Sequence, residues 1–297
     1  MGRNVVNELA SKNLNPCILS RKALPGINEP KAGNFEIVEM DLLNYPALEK
    51  FLEKFQPDII IHLAGYSRQP EMNSNFLDKF NFEATARLMD LANEIKIKKF
   101  ILIGTADEYG FQPCPQSELT PTKPVSEYAI SKNKAVKYAL SLFENKQFPV
   151  TILRPFTVYG VGQPPAMFIS QAVNSAMRGI PFEMSKGLQK RDLLFITDFV
   201  NAIIKTLTAE NIEGETFNLG SGKSIALKTV AEKIWELAKA DKELLKIGAR
   251  PTNKNELHDT QADISKIRAK LNWEPEISIE EGLKNVVEKA KRECIER

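Results

Sequence analysis

The sequence is poor in the residues that build metal centres, disulfide frameworks and membrane spans. Only two of its 297 residues are histidines, His62 and His258, so a histidine-based triad or zinc site is not expected. No uninterrupted apolar run approaches the roughly 18 residues of a spanning helix, and the N-terminus carries no signal-peptide pattern. The three cysteines lie far apart, which favours reduced thiols in a cytoplasmic protein.

An excess of charge of either sign is also missing. Forty Lys and Arg residues against 38 Asp and Glu residues give a formal net charge of +2. This balance argues against a general nucleic-acid or membrane-surface binder, so an anionic ligand must be held by a few well-placed cations. The apolar fraction of 43% and charged fraction of 26% are ordinary for a soluble globular protein. The length fits one large or two modest domains.

The first half of the chain alternates between strand and helix patterns. We expect strands at 17–19, 35–40, 58–65, 99–104 and 150–154, and helices at 5–12, 45–55, 75–95 and 126–143. This alternation predicts an α/β fold, a doubly wound parallel sheet with helices on both faces. After residue 154 the pattern becomes turn-rich. Short helices are expected there at 166–177, 198–208, 227–238, 264–271 and 278–291, in a smaller and more irregular part.

The clearest chemical signal is a tyrosine and a lysine four residues apart. On a helix, Tyr128 and Lys132 share one face, so the ammonium is expected to lie beside the phenol. A nearby positive charge favours phenolate, and we therefore expect the pKa of the Tyr128 phenol to be lowered. Thr105 follows the predicted strand 99–104, and its hydroxyl could bind the same substrate oxygen. The three side chains together predict proton transfer to and from an alcohol while a hydride moves on its carbon.

These features resemble, over essentially the whole chain, the extended short-chain dehydrogenase/reductase family, which contains nucleotide-sugar epimerases, dehydratases and 4-keto reductases. The matching segments are residues 41–42, 62–65, Asn81, Thr105 with 109–110, Tyr128 with Lys132, 154–160, 190–192 with 196–198, 217–222, 271–275 and 281–283. The resemblance implies a Rossmann-type dinucleotide-binding domain over 1–160, to which 196–222 returns. It implies that 161–297 mainly binds a sugar nucleotide.

The resemblance also implies where a nicotinamide cofactor binds. The residues that it assigns to the cofactor are Gly2, Asp41 and Leu42, Leu63, Ala64 and Gly65, and Tyr128 and Lys132. Ser20, Arg21 and Lys22 end the second strand of the family's fold, where an acidic residue would bind the ribose 2′-hydroxyl of NAD. A hydroxyl and two cations there favour the 2′-phosphate of NADP, and NAD stays open as the alternative.

The start of the sequence departs from the family. Members open with a strand and a Gly-x-x-Gly-x-x-Gly turn, and Gly2 aligns with the last glycine of that turn. The first strand and the other two glycines have no counterpart in the printed sequence. We expect either a fragment or a late start, with genuine loss of the strand as the alternative.

The resemblance also implies further catalytic and substrate-binding residues, although some of them differ in type from the residues that the family carries. Asp107 lies two residues after Thr105, where one dehydratase branch carries a glutamate, so it is a candidate acid with a shorter reach. Thr157 stands where many members carry a substrate-binding asparagine. Arg191 and Arg250 resemble the arginines that hold the diphosphate of a sugar nucleotide. No metal ligand is expected.

Several functions fit this pattern. The leading one is oxidation or reduction at C4 of a nucleoside-diphosphate sugar, by a 4-keto reductase or an epimerase. The alternatives are a 4,6-dehydratase of the same family and a non-catalytic, RNA-associated protein on the same scaffold. The intact Thr105, Tyr128 and Lys132 and the balanced charge argue against the last. The expected partner is a nucleoside-diphosphate sugar rather than nucleic acid or membrane, and the family is compatible with a homodimer.

Overall fold

A computed structural model describes residues 1–21, 35–66, 74–252 and 257–295. The chain folds into two compact units. The first comprises residues 1–110, 122–154 and 200–217, and the second comprises 111–121, 155–199 and 218–297. Assignment of 1–160 with 196–222 to the cofactor, and of 161–297 to the sugar nucleotide, stays a prediction.

Through residue 155 the chain alternates between strands and helices. The strands are β1 (Cys17–Ser20), β2 (Glu36–Glu39), β3 (Ile59–His62), β4 (Lys99–Ile103) and β5 (Val150–Pro155). The helices are α1 (Gly2–Ser11), α2 (Tyr45–Phe55), α3 (Ser74–Leu77), α4 (Ala84–Glu94) and α5 (Glu127–Lys146), with a π-helical segment (Asp78–Glu83) between α3 and α4 and a 3-10 turn (Ala106–Tyr109) after β4.

The remainder carries shorter elements. Its strands are β6 (Thr157–Tyr159), β7 (Phe182–Met184), β8 (Lys190–Phe195), β9 (Thr216–Leu219), β10 (Ser224–Ala226) and β11 (Leu245–Ile247). Its helices are α6 (Phe168–Arg178), α7 (Ile196–Thr208), α8 (Leu227–Ala238), α9 (Ser265–Leu271) and α10 (Ile279–Ile295), with a 3-10 turn (Lys242–Leu244) before β11.

The predicted α/β fold with parallel strands is confirmed. β3, β4 and β5 pair in parallel, and β9 completes this four-stranded sheet next to β5. The continuous apolar sequence of β4 fits a strand that is covered on both faces, and Phe100, Ile101 and Leu102 are fully buried. β1 and β2 form a separate parallel pair. The sheet of the first unit is therefore built in two pieces.

A cavity of about 660 Å³ runs along β1 and β3. Its lining extends from Pro16 and Pro57, before the two strands, to Ser20 and Gly65 at or beyond their ends. Ile59 in β3 is 40% exposed, in contrast to the fully buried residues of β4. Among the described residues, β1 pairs only with β2 and β3 only with β4, so each has an edge without a strand partner.

The long helix expected over 75–95 is present over 74–94, but its middle is π-helical rather than α-helical. A π-helical segment, Asp78–Glu83, separates α3 from α4 and contains Asn81. Such a segment adds a residue to the turn and shifts the side chains relative to the α-helical register, which an apolar pattern alone does not reveal.

The second unit has strands that the turn-rich sequence did not predict. β8 lies between β6 and β10, parallel to β6 and antiparallel to β10, and β7 pairs in parallel with β11. The buried Asp192 carboxylate in β8 accepts hydrogen bonds from the amides of Ser221, Gly222 and Ala262 at 2.6–3.0 Å. A Cβ at Gly220 would lie 2.7 Å from Asp192 Oδ2, so only glycine fits there.

None of the helices in the described parts of the chain combines the length and apolarity that crossing a membrane requires. Cys17 and Cys114 carry free thiols.

An added strand is predicted to stabilise the first unit. We expect a chain extended upstream of Met1 by an apolar segment of about five residues and a short turn to melt several degrees higher than the printed chain. The segment would give the edges of β1 and β3 a ladder partner, and about 1 kcal/mol already raises Tm by roughly 2–4 °C in a domain of 150–250 residues. Scanning calorimetry measures the difference.

The matched control is an extension of the same length with proline at alternate strand positions, because proline cannot donate to a ladder. Equal melting temperatures for the two extended chains would contradict the prediction.

Candidate active site

A reciprocal cap fixes Thr105 just beyond the end of β4. The Thr105 hydroxyl oxygen accepts a hydrogen bond from the Asp107 amide at 3.3 Å, and the Glu108 carboxylate accepts one from the Thr105 amide at 2.8 Å. This capping box starts the 3-10 turn Ala106–Tyr109. The hydroxyl of Thr105 is thus held at the carboxyl edge of the parallel sheet, where ligands bind in open α/β folds.

Tyr128 and Lys132 lie on the first two turns of α5. The Ser126 hydroxyl oxygen caps the helix by accepting a hydrogen bond from the Ala129 amide at 3.1 Å. Tyr128 makes a side-chain hydrogen bond with Thr105, and Lys132, one turn further on, is only 4% exposed. The structure thus brings Thr105 and Tyr128 into contact and places Lys132 on the same face of the helix.

The expectation of a lowered phenol pKa is wrong. Desolvation raises the pKa of Tyr128 above its ordinary value, and the carboxylates of Asp107 and Glu108 raise it further. The hydrogen bond with Thr105 acts in the opposite direction. The phenol is therefore neutral at pH 7 and is set up first as a proton donor.

Lys132 is buried, and its ammonium group loses its proton more readily than that of an exposed lysine. Burial lowers the pKa of Lys132 to about 8, and the Glu108 carboxylate opposes that shift. Burial, and secondarily the Lys132 charge, lowers the pKa of His62 to about 3. The His62 ring is therefore neutral, and its Nε2 lies 3.0 Å from the Thr85 hydroxyl. His62 is thus a packed residue at the end of β3.

Asn81 links the loop after β3 to the catalytic helix. Its amide oxygen accepts from the Tyr66 amide at 2.9 Å, and its amide nitrogen donates to the Tyr66 carbonyl and to the Ser131 hydroxyl, both at 3.0 Å. Ser131 in turn donates to the Tyr128 carbonyl at 2.8 Å. The π-helical segment thus positions the buried side-chain amide of Asn81. This amide is hydrogen-bonded both to the loop after β3 and to the first turns of α5.

Most of the residues expected to bind a cofactor lie in one place. The 660 Å³ cavity is lined by Gly2, Ser20, Arg21, Leu42, Leu63, Ala64 and Gly65, together with core residues. A Cβ on Gly65 would lie 3.8 Å from Lys132 Nζ, so the strand end approaches the lysine closely. Asp41 is exposed and outside this lining, and its carboxylate accepts from the Leu43 amide at 3.0 Å. The cavity has the volume of a small-molecule site, about 300–1,000 Å³, and binding of a dinucleotide there stays a prediction.

The structure places Arg21 against two rings. Its guanidinium carbon lies 4.6 Å from the centre of the Tyr66 ring and 5.6 Å from that of Phe80. Ser20 ends β1, and its carbonyl accepts from the Met40 amide at 2.8 Å. Arg21 thus lines the cavity, and its preference for a 2′-phosphate stays a prediction. Lys22 lies outside the described residues.

The residues expected to bind the sugar nucleotide lie in the second unit. Thr157 is in β6, paired with Leu193 of β8. Arg191 donates to the carbonyls of Lys190 at 2.8 Å and His258 at 3.3 Å. The exposed Arg250 forms a loose ion pair with Glu183 at 3.7 Å. Their roles toward a diphosphate or sugar stay predictions.

Two residues of this region were not assigned a role from the sequence. Glu108 is completely buried and pairs with the 4% exposed Arg154 at 2.9 Å. The spacing of Thr105 and Glu108, three residues apart, is a capping-box signature that could have marked the glutamate. Its ion pair with Arg154 has no local sequence signal, because the two residues lie 46 positions apart.

The chain belongs to the NAD-dependent epimerase/dehydratase family, whose model matches residues 1–220. The UDP-glucuronate 4-epimerase of Thermodesulfobacterium geofontis is 32% identical over 86% of this chain and 80% of that protein. The human dTDP-D-glucose 4,6-dehydratase is 27% identical over 86% of this chain and 74% of its own length.

Solved structures share the fold over nearly the full length. MoeE5 in complex with UDP-glucuronic acid and NAD aligns with a TM-score of 0.88 and 26% identity, covering 98% of this chain and 96% of that one. The UDP-glucose 4-epimerase of Thermotoga maritima aligns with a TM-score of 0.89 at 24% identity, covering 99% and 96%. The expected family resemblance is confirmed.

Because His62 is buried in its neutral form, we expect the free energy of unfolding to fall as the pH is lowered. A histidine whose pKa is lower in the folded chain binds fewer protons there, so its contribution to stability is complete above the unfolded pKa of about 6.5 and falls below it. Between about pH 7 and about pH 5 the free energy of unfolding should fall by about 2 kcal/mol through this group. Urea titrations measure the slope.

His62→Gln, which can still hydrogen-bond to Thr85, should flatten this slope. His258→Gln changes an exposed histidine and should leave it intact. Identical pH slopes for the native chain and His62→Gln would count against a neutral buried imidazole.

Proposed function

We propose that this chain catalyses NAD(P)-dependent oxidation and reduction at C4 of a nucleoside-diphosphate sugar, with Tyr128 as the acid and base. The observation that carries the proposal is the hydrogen bond of Tyr128 with Thr105 on the helix face that also bears buried Lys132. The family match and the 32% identical UDP-glucuronate 4-epimerase support it.

The proton chemistry follows from the neutral phenol. In the reducing direction Tyr128 donates its proton to the C4 oxygen, and Thr105 stabilises that oxygen with a hydrogen bond. The Lys132 ammonium then stabilises the phenolate that remains. In the oxidising direction the phenolate takes the hydroxyl proton back. A bound nicotinamide would supply or accept the hydride, beside Leu63, Ala64 and Gly65 in the cavity.

Epimerisation is the first candidate within this chemistry. An epimerase returns the hydride to the same substrate and regenerates its cofactor, whereas a reductase consumes NADPH. The similarity to a UDP-glucuronate 4-epimerase, and to MoeE5 with UDP-glucuronic acid and NAD bound, favours epimerisation of a UDP-sugar. Ser20 and Arg21 instead favour NADPH, and a preference for NADPH would point to a reductase. Titration of Arg21→Ala with both cofactors distinguishes the two.

A 4,6-dehydratase is the second candidate, and Asp107 is the observation that favours it. Burial raises the pKa of the Tyr128 phenol, and the Asp107 carboxylate raises it further. A carboxyl group beside the catalytic phenol could donate a proton to a leaving hydroxyl. The 27% identical human dTDP-D-glucose 4,6-dehydratase is consistent with this branch.

The second unit supplies the candidates for the rest of the substrate. Arg191 and Arg250 would hold the diphosphate through charge-assisted hydrogen bonds, and Thr157 would contact the sugar. A cytoplasmic location and a homodimer complete the proposal.

Tyr128→Phe is predicted to lower kcat by roughly 10²–10⁴-fold, because it removes the acid and base proposed for the C4 oxygen. The assay is conversion of UDP-glucuronate or UDP-glucose in the presence of NAD or NADP. Tyr138→Phe is the matched control. It removes a hydroxyl from the same helix, where Tyr138 donates to Asp90 at 2.7 Å, and should leave kcat near native. Near-native turnover of Tyr128→Phe would refute the mechanism.

The variant Arg21→Ala tests whether the chain prefers NADP or NAD. If Arg21 binds the 2′-phosphate, the variant should lose roughly tenfold to a hundredfold in NADPH affinity, the value of a charge-assisted hydrogen bond, and much less in NADH affinity. Fluorescence titration of each cofactor measures both constants. Lys12→Ala, at the exposed end of α1, is the control. Equal losses for the two cofactors, or tighter native binding of NADH, would contradict NADP preference.

A further inference from the structure

Three aromatic rings form a cluster at the cavity of the first unit. Tyr66, in the loop after β3, lies 4.6 Å from Phe80 and 5.1 Å from Phe76 between ring centres, and both contacts are edge-to-face. Phe76 and Phe80 lie nearly parallel to each other at 6.2 Å. Aromatic pairs prefer such defined geometries. The two phenylalanines therefore fix the orientation of the Tyr66 ring.

The backbone of Tyr66 is fixed as well. Its amide donates to the side-chain oxygen of Asn81 at 2.9 Å, and its carbonyl accepts from the side-chain nitrogen of Asn81 at 3.0 Å. Asn81 is only 1% exposed, so water competes little for these two bonds. Ring contacts and backbone bonds together make Tyr66 a rigid part of the cavity lining.

The guanidinium of Arg21 lies over this fixed ring. Its central carbon is 4.6 Å from the centre of the Tyr66 ring and 5.6 Å from that of Phe80, both within the range of about 6 Å over which a cation–π attraction acts. The attraction requires no hydrogen bond from the guanidinium, whose five N–H donors form a rigid planar fork. The contact thus localises the cation and leaves the fork to bind an anion.

Packing alone does not explain why a cation is held here. Arg21 is exposed, and within the described ranges no carboxylate forms an ion pair with it. Holding a long exposed side chain in one place costs rotamer entropy. Arg21, Tyr66 and Phe80 all line the same cavity. A localised guanidinium at a cavity suits a phosphate group, which it can bind through two parallel hydrogen bonds.

We propose that Tyr66 is a positioning residue that holds the Arg21 guanidinium in place to bind a phosphate at the 2′ position of an adenosine ribose. Asn81 contributes by fixing the Tyr66 backbone. This inference deepens the proposed function and rests on its preference for NADP. Arg21 supplies the charge, and the uncharged Tyr66 determines where that charge lies.

A double-mutant cycle with two adenosine fragments tests the inference without turnover. The probes are adenosine 2′,5′-bisphosphate and 5′-AMP, which differ only in the 2′-phosphate, and NMR titration of the full chain gives both Kd values. Tyr66→Leu should reduce the preference for the bisphosphate by roughly two- to fivefold, the value of an exposed cation–π contact. In an Arg21→Ala background the same change should leave the preference unaltered. Tyr66→Phe keeps an aromatic ring and should keep the native preference.

The second readout needs no ligand. A proton above an aromatic ring is shifted upfield, so the Hδ signals of Arg21 should lie upfield in the native chain and in Tyr66→Phe. In Tyr66→Leu they should move toward the position of an exposed arginine. Arg21→Lys identifies these signals. The native spectrum alone tests the contact if Tyr66→Leu does not fold.

The outcomes separate this inference from the proposed function. Unshifted Arg21 signals in the native chain, an unchanged preference in Tyr66→Leu, or an equal effect of Tyr66→Leu with and without Arg21 would each overturn the inference. Equal native affinity for the two fragments would overturn it together with the NADP preference. If the preference and its dependence on Tyr66 are found but no sugar nucleotide is converted, the inference stands and the proposed catalytic function fails.

Discussion

A carboxylate without solvent contact connects the parts of the site. Glu108 accepts from the Thr105 amide at the end of β4, pairs with Arg154 of β5, and attracts Lys132 on α5. Removing one partner of such a buried pair leaves an uncompensated charge, which costs about 3–5 kcal/mol. The geometry of Thr105 at the end of β4 therefore depends on one buried side chain.

The cavity of the first unit has two parts, one at the ends of its strands and one along their edges. Its upper part, at the strand ends with Leu63, Ala64 and Gly65, suits a dinucleotide. Its lower part extends to Pro16 and Pro57 and borders β1 and β3, each of which has an edge without a strand partner in the part of the chain that the structure describes. An extended apolar segment suits that lower part, because it would give the backbone groups at these edges hydrogen-bond partners.

The features predicted correctly from the sequence are those that follow from apolar periodicity and from short spacings along the chain. Helices α2 and α8 begin and end at the predicted residues, and Tyr128, Lys132 and Thr105 lie on the elements assigned to them. The π-helical turn around Asn81, the short strands such as β7, and the Glu108–Arg154 pair were missed. Each depends on contacts between distant segments or on elements of three to six residues, which carry too little periodicity to detect. The pKa of Tyr128 was predicted in the wrong direction because packing buries the phenol and, secondarily, brings Asp107 and Glu108 toward it, and no sequence pattern shows this.

The central claim is that Tyr128 moves only the proton on oxygen while the hydrogen on C4 moves as hydride. The direct measurement uses UDP-glucuronate with deuterium at C4, incubated with the chain and NAD, and follows both C4 epimers by NMR and mass spectrometry. The account predicts interconversion with the deuterium kept on C4 in both epimers, because hydride returns to the carbon it left. Replacement of that deuterium by solvent hydrogen during epimerisation would contradict it.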